Sequence, residues 1–124
     1  MYHLLNYNMS ILRRYKSDFN IYFVTNVTFY RKLILQKNGD LLMAAIESLK
    51  NKNNIDILAF VILPDHFHIL IDTHSFDISK IMQKIKMSFG VHFRIRMNIN
   101  SGRVWQHRFW DHAIRNQDDL NNHI

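Results

Sequence analysis

Cysteine is absent from this 124-residue chain, so disulfides and thiolate metal sites are both excluded. No apolar run approaches the roughly 18 to 20 residues needed to span a bilayer. The opening stretch MYHLLNYNMSILRRYK also lacks the uninterrupted apolar segment of a signal peptide. A cytoplasmic protein is the simplest reading of those absences. Proline occurs once, at Pro64. Acid is nearly missing between Ile78 and Gln117, where Asp111 stands alone against eight lysines and arginines. The net formal charge is +6, that segment carries +7, and the rest of the chain sums to −1. So concentrated a basic surface favours a polyanion, usually nucleic acid, although a solvated basic face without a partner has the same composition.

What is present suits one globular domain. Hydrophobic residues make up 48% and charged ones 21%, which excludes wholesale disorder, and the length allows one real core but not two. Residues 1–16 are polar and basic without a clear period and read as a loose arm ahead of a domain over 17–124. From Asn20, NIYFVTNVTF alternates and is rich in aromatic and β-branched residues, the pattern of a strand. Asn38-Gly39 signals a turn, after which Asp40 is placed to cap a helix with Leu41, Leu42, Ala45, Ile46 and Leu49 at helical spacing. IDILAFVIL and HFHILID are two further strands, with Pro64-Asp65 as the turn between them. Ser75 to Asn98 reads as a long helix whose apolar side is Ile78, Met82, Ile85, Phe89 and Phe93, with Lys80, Lys84 and Arg94 opposite.

RVWQHRFWDHAIR reads as extended structure, with Trp105 and Trp110 more in keeping with a core than with base stacking. Asn116 then caps a last helix that runs into the end of the sequence. Strand, helix, strand, strand, helix, strand is the split βαβ, ferredoxin-like order. The fold class is therefore α+β, an antiparallel sheet with helices on one face and a final helix cut short.

The stretch ILPDHFHILID raises the question of function. Side chains alternate along a strand, so His66 and His68 project from one face while Phe67 and Ile69 project from the other. Their Cα atoms then lie ~6 to 7 Å apart, within reach of a single ion. Two imidazoles without sulfur suit a borderline divalent metal and leave coordination positions open, as catalysis requires. A pair on a solvated sheet face would show the same short pattern.

LPDHFHILI resembles the His-hydrophobic-His motif of the HUH single-tyrosine transposases, in particular the REP-associated tyrosine transposases. YFVTNVTF is similar to their first strand, IMQKIKMSF to the helix after the histidines, and GRVWQHRFWDHAIRN with DDLNNHI to their C-terminal region. The resemblance runs from about Arg13 to Ile124. It implies an insertion-sequence-type transposase that cleaves and rejoins single-stranded DNA near a hairpin. A tyrosine attacks the scissile phosphate, leaving a 5′-phosphotyrosyl link and a free 3′-hydroxyl.

By this carry-over His66 and His68 hold a divalent ion, Mg²⁺ or Mn²⁺, that polarises the phosphate. Lys80, Lys84, Arg94, Arg103, Arg108 and Arg115 would hold DNA phosphates, a role that rests on charge and placement. A homodimer is compatible with the resemblance. The nucleophile is the discrepancy. Tyr2, Tyr7, Tyr15, Tyr22 and Tyr30 all precede the first long helix, whereas the family's tyrosine belongs just after the counterpart of DDLNNHI, beyond Ile124. A fragment, a decayed gene or a hairpin-binding module without catalysis would each give such a chain. Activity from these residues alone is not expected, and His112 and His123 are the local alternatives for a third metal ligand. A small ferredoxin-like protein with an incidental basic face is the remaining contrast.

Overall fold

The computed structural model describes residues 2–5 and 20–123. Five strands form one sheet: β1 (Tyr2–Leu5), β2 (Ile21–Val27), β3 (Asp56–Leu63), β4 (His66–Asp72) and β5 (Trp110–Ala113). The helices are α1 (Leu35–Lys52), α2 (Ile78–Met97) and α3 (Gln117–Asn122), with a 3-10 turn at Phe29–Arg31. Strand order across the sheet is β1-β3-β4-β2-β5, and all neighbours are antiparallel. Taken from β2 to β5, this is the α+β, split βαβ arrangement that the order of elements predicts.

Strand alternation divides the core. Phe67, Ile69 and Ile71 of β4 join Val24, Ile62 and the apolar sides of α1 and α2 in the larger cluster. Phe67 is fully buried and meets Trp105 edge-on at 5.4 Å between ring centroids. Burial of such a ring contributes about 1.5–3 kcal/mol. Ile21, Leu70, Ile114 and Leu120 form a smaller second cluster, with Phe23 packed against it. The two long helices thus share one face, while the short α3 sends Leu120 into the other cluster.

Several boundaries differ from the sequence expectation. Tyr2–Leu5, which reads as part of a loose arm, pairs with β3 from Tyr2 opposite Ile62 to Leu5 opposite Ala59. Four residues are too few to display a period, so only the open ladder edge of β3 reveals them as a strand. The remainder of the arm lies outside the described residues. Helix α1 begins at Leu35, before the Asn38-Gly39 signal, and Asn38 survives as a kink (φ −122°, ψ 19°). The Asn38 amide donates to the Ile34 carbonyl at 2.9 Å, and Asp40, which lies inside α1 and not ahead of it, pairs with Arg96.

Helix α2 starts at Ile78, where the Asp77 carboxylate accepts from the Ser79 N–H at 2.8 Å. It closes on Asn98 in the left-handed region (φ 56°). The 103–115 segment is strand only over Trp110–Ala113, plus one bridge from Trp105 to Thr28. Asn116 caps α3 as expected, accepting from the Asp119 N–H at 2.8 Å.

Candidate functional site

Pro64-Asp65 is a two-residue connection, with Leu63 directly opposite His66. Neighbouring backbone grips this turn from the β2 side. The Thr28 N–H donates to the Asp65 carbonyl at 2.9 Å, and the Leu35 N–H donates to the Pro64 carbonyl at 2.9 Å. The single proline therefore sits where its missing N–H is not needed. The start of β4 is held from two sides before any histidine contact is counted.

His66 and His68 leave the same sheet face, with ring centroids 5.0 Å apart and rings nearly perpendicular. Both are partly buried. Each ring is tied at Nδ1. The His66 Nδ1–H donates to Asp65 Oδ1 at 2.6 Å, while His68 Nδ1 and Thr25 Oγ1 share a bond of 2.7 Å. Thr25 is directly opposite His68 in the β2–β4 register, and Phe23 stacks on the His68 ring at 5.3 Å. Burial, and then the neighbouring His66, lower the His68 pKa, which favours the neutral imidazole that a metal requires. The donor set fits a divalent ion of the kind the resemblance implies: two imidazoles on one sheet face, ring centroids 5.0 Å apart, with Nε2 on each ring outside these bonds.

Two groups of three ligating side chains come together among the described residues, and neither contains His66 or His68. His112, Asp119 and His123 form the first. The Asp119 carboxylate accepts from His112 Nε2 at 2.9 Å and from the Arg115 N–H at 2.9 Å, and the His123 Nδ1–H donates to the Asp119 carbonyl at 2.7 Å. This cluster fastens α3 to β5, so His112 is a hydrogen-bonding residue, and the sequence alone does not show its partner. Phe23 lies between the sites, with His68 and His123 both against its ring. Asp56, Asp72 and His74 form the second group, at the opposite end of β4 from His66.

Neither Tyr22 nor Tyr30 makes a ring contact with His66 or His68. Tyr22 alternates with Phe23 and packs with the larger core, on the opposite sheet face. Tyr30 is 80% exposed, and its ring contact is with Phe29. Trp105 is core, as expected, with its indole N–H donating to the Lys86 carbonyl at 3.2 Å. Trp110 is 58% exposed, which corrects the expectation of a core residue. It lies opposite Thr25 on an edge strand, so no neighbouring strand or helix covers it among the described elements.

The six basic residues separate. Arg94 and Arg103 line one cavity of about 640 Å³ between α2 and the 103–109 segment, together with Lys86 and His107. Arg94 Nη2 donates to the Gly102 carbonyl at 2.7 Å, and Gly102 has φ 117°, a conformation that only glycine adopts readily. Arg103 stands 5.1 Å over the Phe29 ring. Lys84 lines a different groove, against α1. Lys80 and Arg108 are exposed, and Arg115 lies beside Asp119. In the sequence Lys86 shows only as charge. Its half-buried place beside Arg103 lowers its pKa, first through burial and then through that cation. Among the described residues no helix is long and apolar enough to cross a membrane.

Comparison with known proteins gives the family and the fold. A REP-associated tyrosine transposase of Escherichia coli K12 is 32% identical over 119 residues, covering 94% of this chain and 68% of the relative. A solved REP-associated tyrosine transposase bound to a REP hairpin superposes with a TM-score of 0.70 at 28% identity, covering 98% of this chain and 68% of that one. A further structure, from Deinococcus radiodurans R1, gives a TM-score of 0.64 over 98% of this chain and 87% of its own length, and at 15% identity bears on the fold alone. The family model described as Transposase IS200 like matches residues 15–115, and the chain belongs to that family.

Proposed function

We propose that the chain is the DNA-processing domain of a transposase, acting in the cytoplasm on single-stranded or hairpin DNA with a divalent ion, Mg²⁺ or Mn²⁺, at His66 and His68. The observation that carries this reading is the paired histidines on one sheet face of an IS200-like transposase, 5.0 Å apart and each secured at Nδ1. A bound divalent ion would supply Lewis-acid polarisation of the scissile phosphate. The chain's own residues do the rest. His66 and His68 orient the site, Arg94, Arg103 and Lys86 offer charge to the phosphates, and Trp110 presents an indole face beside Thr25. The structure of a relative bound to a REP hairpin supports hairpin DNA as the ligand class.

Cleavage in this chemistry needs a tyrosine oxygen to displace a 3′-hydroxyl from phosphorus. Tyr22 packs on the opposite sheet face and the ring contact of Tyr30 is with Phe29, which favours a second reading: a hairpin-DNA-binding module that does not cut by itself. One experiment separates the readings. The chain is incubated with Mn²⁺ and labelled hairpin or single-stranded DNA, then resolved for bound and covalently linked species. Salt-sensitive binding without an adduct is the expected result. An adduct would place a nucleophile within these 124 residues. Absence of binding at low salt would remove the DNA reading altogether.

A further inference from the structure

Both histidines are anchored through the same ring nitrogen, but by groups of different chemistry. We infer that Asp65 and Thr25 are positioning residues with separate duties: Asp65 sets the tautomer of His66, whereas Thr25 sets only the ring orientation of His68. This inference rests on the metal reading above.

Asp65 has an acceptor-only side chain once ionised. Its Oδ1 lies 2.6 Å from His66 Nδ1, so that nitrogen carries the proton and the lone pair is left on Nε2. Its other oxygen accepts from Arg31 Nη1 at 3.1 Å, which steadies the carboxylate. The Asp65 carbonyl receives the Thr28 N–H and lies 3.0 Å from Thr28 Oγ1, so the backbone beneath the carboxylate is fixed as well. A carboxylate behind a ligating imidazole is the arrangement that fixes orientation and raises ligand basicity.

Thr25 differs. Its hydroxyl both donates and accepts, so the 2.7 Å bond to His68 Nδ1 is satisfied by either tautomer. What Thr25 supplies is position: it is locked by the β2–β4 register directly across from His68. Phe23, stacked at 5.3 Å with an interplanar angle of 19°, holds the ring plane from its own strand. His66 is thus prepared as an Nε2 ligand before an ion arrives, and His68 becomes one by proton rearrangement within a fixed ring position.

The test begins without metal. Nitrogen-15 NMR of the imidazoles should show His66 as the Nδ1–H form in the unaltered chain. Asp65→Ala should convert it to a mixture in which Nε2–H is substantial. Thr25→Val should leave the His66 tautomer unchanged, and Thr25→Ser should restore any loss of metal affinity seen with valine. Calorimetry with Mn²⁺ should then show Asp65→Ala binding roughly 10- to 100-fold more weakly than the unaltered chain. The circular dichroism spectrum of each variant establishes that it is folded, and Asp65→Asn serves where alanine does not fold.

Nε2–H dominance on His66 in the unaltered chain would overturn the inference, as would a folded Asp65 variant with unchanged tautomer and Mn²⁺ affinity. The metal reading fails differently. Loss of both imidazoles in His66→Ala/His68→Ala with unchanged Mn²⁺ affinity would sink the metal site while leaving the metal-free tautomer result standing.

Discussion

The Arg96 guanidinium meets the Asp40 carboxylate with both ends engaged, Nη1 to Oδ1 at 2.9 Å and Nη2 to Oδ2 at 2.7 Å. The pair joins the last turn of α2 to α1 across 56 positions of sequence. Arg96 also reaches the side-chain carbonyl of Asn38 at 3.2 Å, so the kink and the ion pair share one partner. Arg96 is therefore engaged structurally, as is Arg94 at the Gly102 carbonyl.

Both groups of that pair are substantially exposed, so its contribution is modest. Arg96→Ala should lower unfolding stability by about 0.2–1 kcal/mol, and added salt should shrink the difference. Urea unfolding at low and high salt measures both. The hydrogen bond from Arg96 holds the Asp40 carboxyl below its ordinary 3.8. A carboxyl depressed in the folded state stabilises fully above its unfolded value, and the gain fades as pH falls through the folded one. The stability difference between Arg96→Ala and the unaltered chain should accordingly persist at neutral pH and vanish in acid below that range.

Asp119→Ala should release α3 from β5. The substitution removes the acceptor of the Arg115 N–H and of His112. Amide exchange should accelerate several-fold at Ile114, whose N–H donates to the Ile21 carbonyl, and through α3. Amides of β3 and β4 should keep their protection. Equal acceleration throughout the sheet would show that the latch is not local.

Trp110→Ala should weaken single-stranded DNA binding by ~1–3 kcal/mol, the usual worth of a base stacked on an aromatic side chain. Because the indole is 58% exposed, thermal stability should change little. Trp105→Ala makes the contrast. That ring is buried against Phe67 and Phe89, so its loss should cost about 3–5 kcal/mol of stability. Thermal melts and fluorescence anisotropy with a labelled strand read the two effects apart.

Arg103→Ala should reduce the slope of log binding constant against log salt by about one phosphate contact, roughly 0.7 for a single strand. Arg94→Ala should do the same and in addition loosen the loop at Gly102, which its guanidinium holds. A salt slope unchanged in both variants would move the DNA path away from the cavity between α2 and the 103–109 segment.

The sequence by itself determined the chain order of the elements from β2 to β5, the two long helices and the face shared by His66 and His68. Each of those follows from local periodicity: period two around HFHILID and a helical period from Ile78 to Phe93. It also carried one half of the Asp65–His66 bond, because those residues are neighbours in the chain. The partner of His68 was decided elsewhere. Thr25 is 43 positions away, and only the register of β2 on β4 brings its hydroxyl to Nδ1. The same holds for Asp40, which composition and position make a helix cap until Arg96 claims it from another helix. Trp105 and Trp110 are alike in sequence, yet one is buried under α2 and the other lies open on β5, since burial depends on which element crosses above a residue. Local chemistry thus set Asp65 against Nδ1 of His66, and long-range packing set Thr25 against Nδ1 of His68.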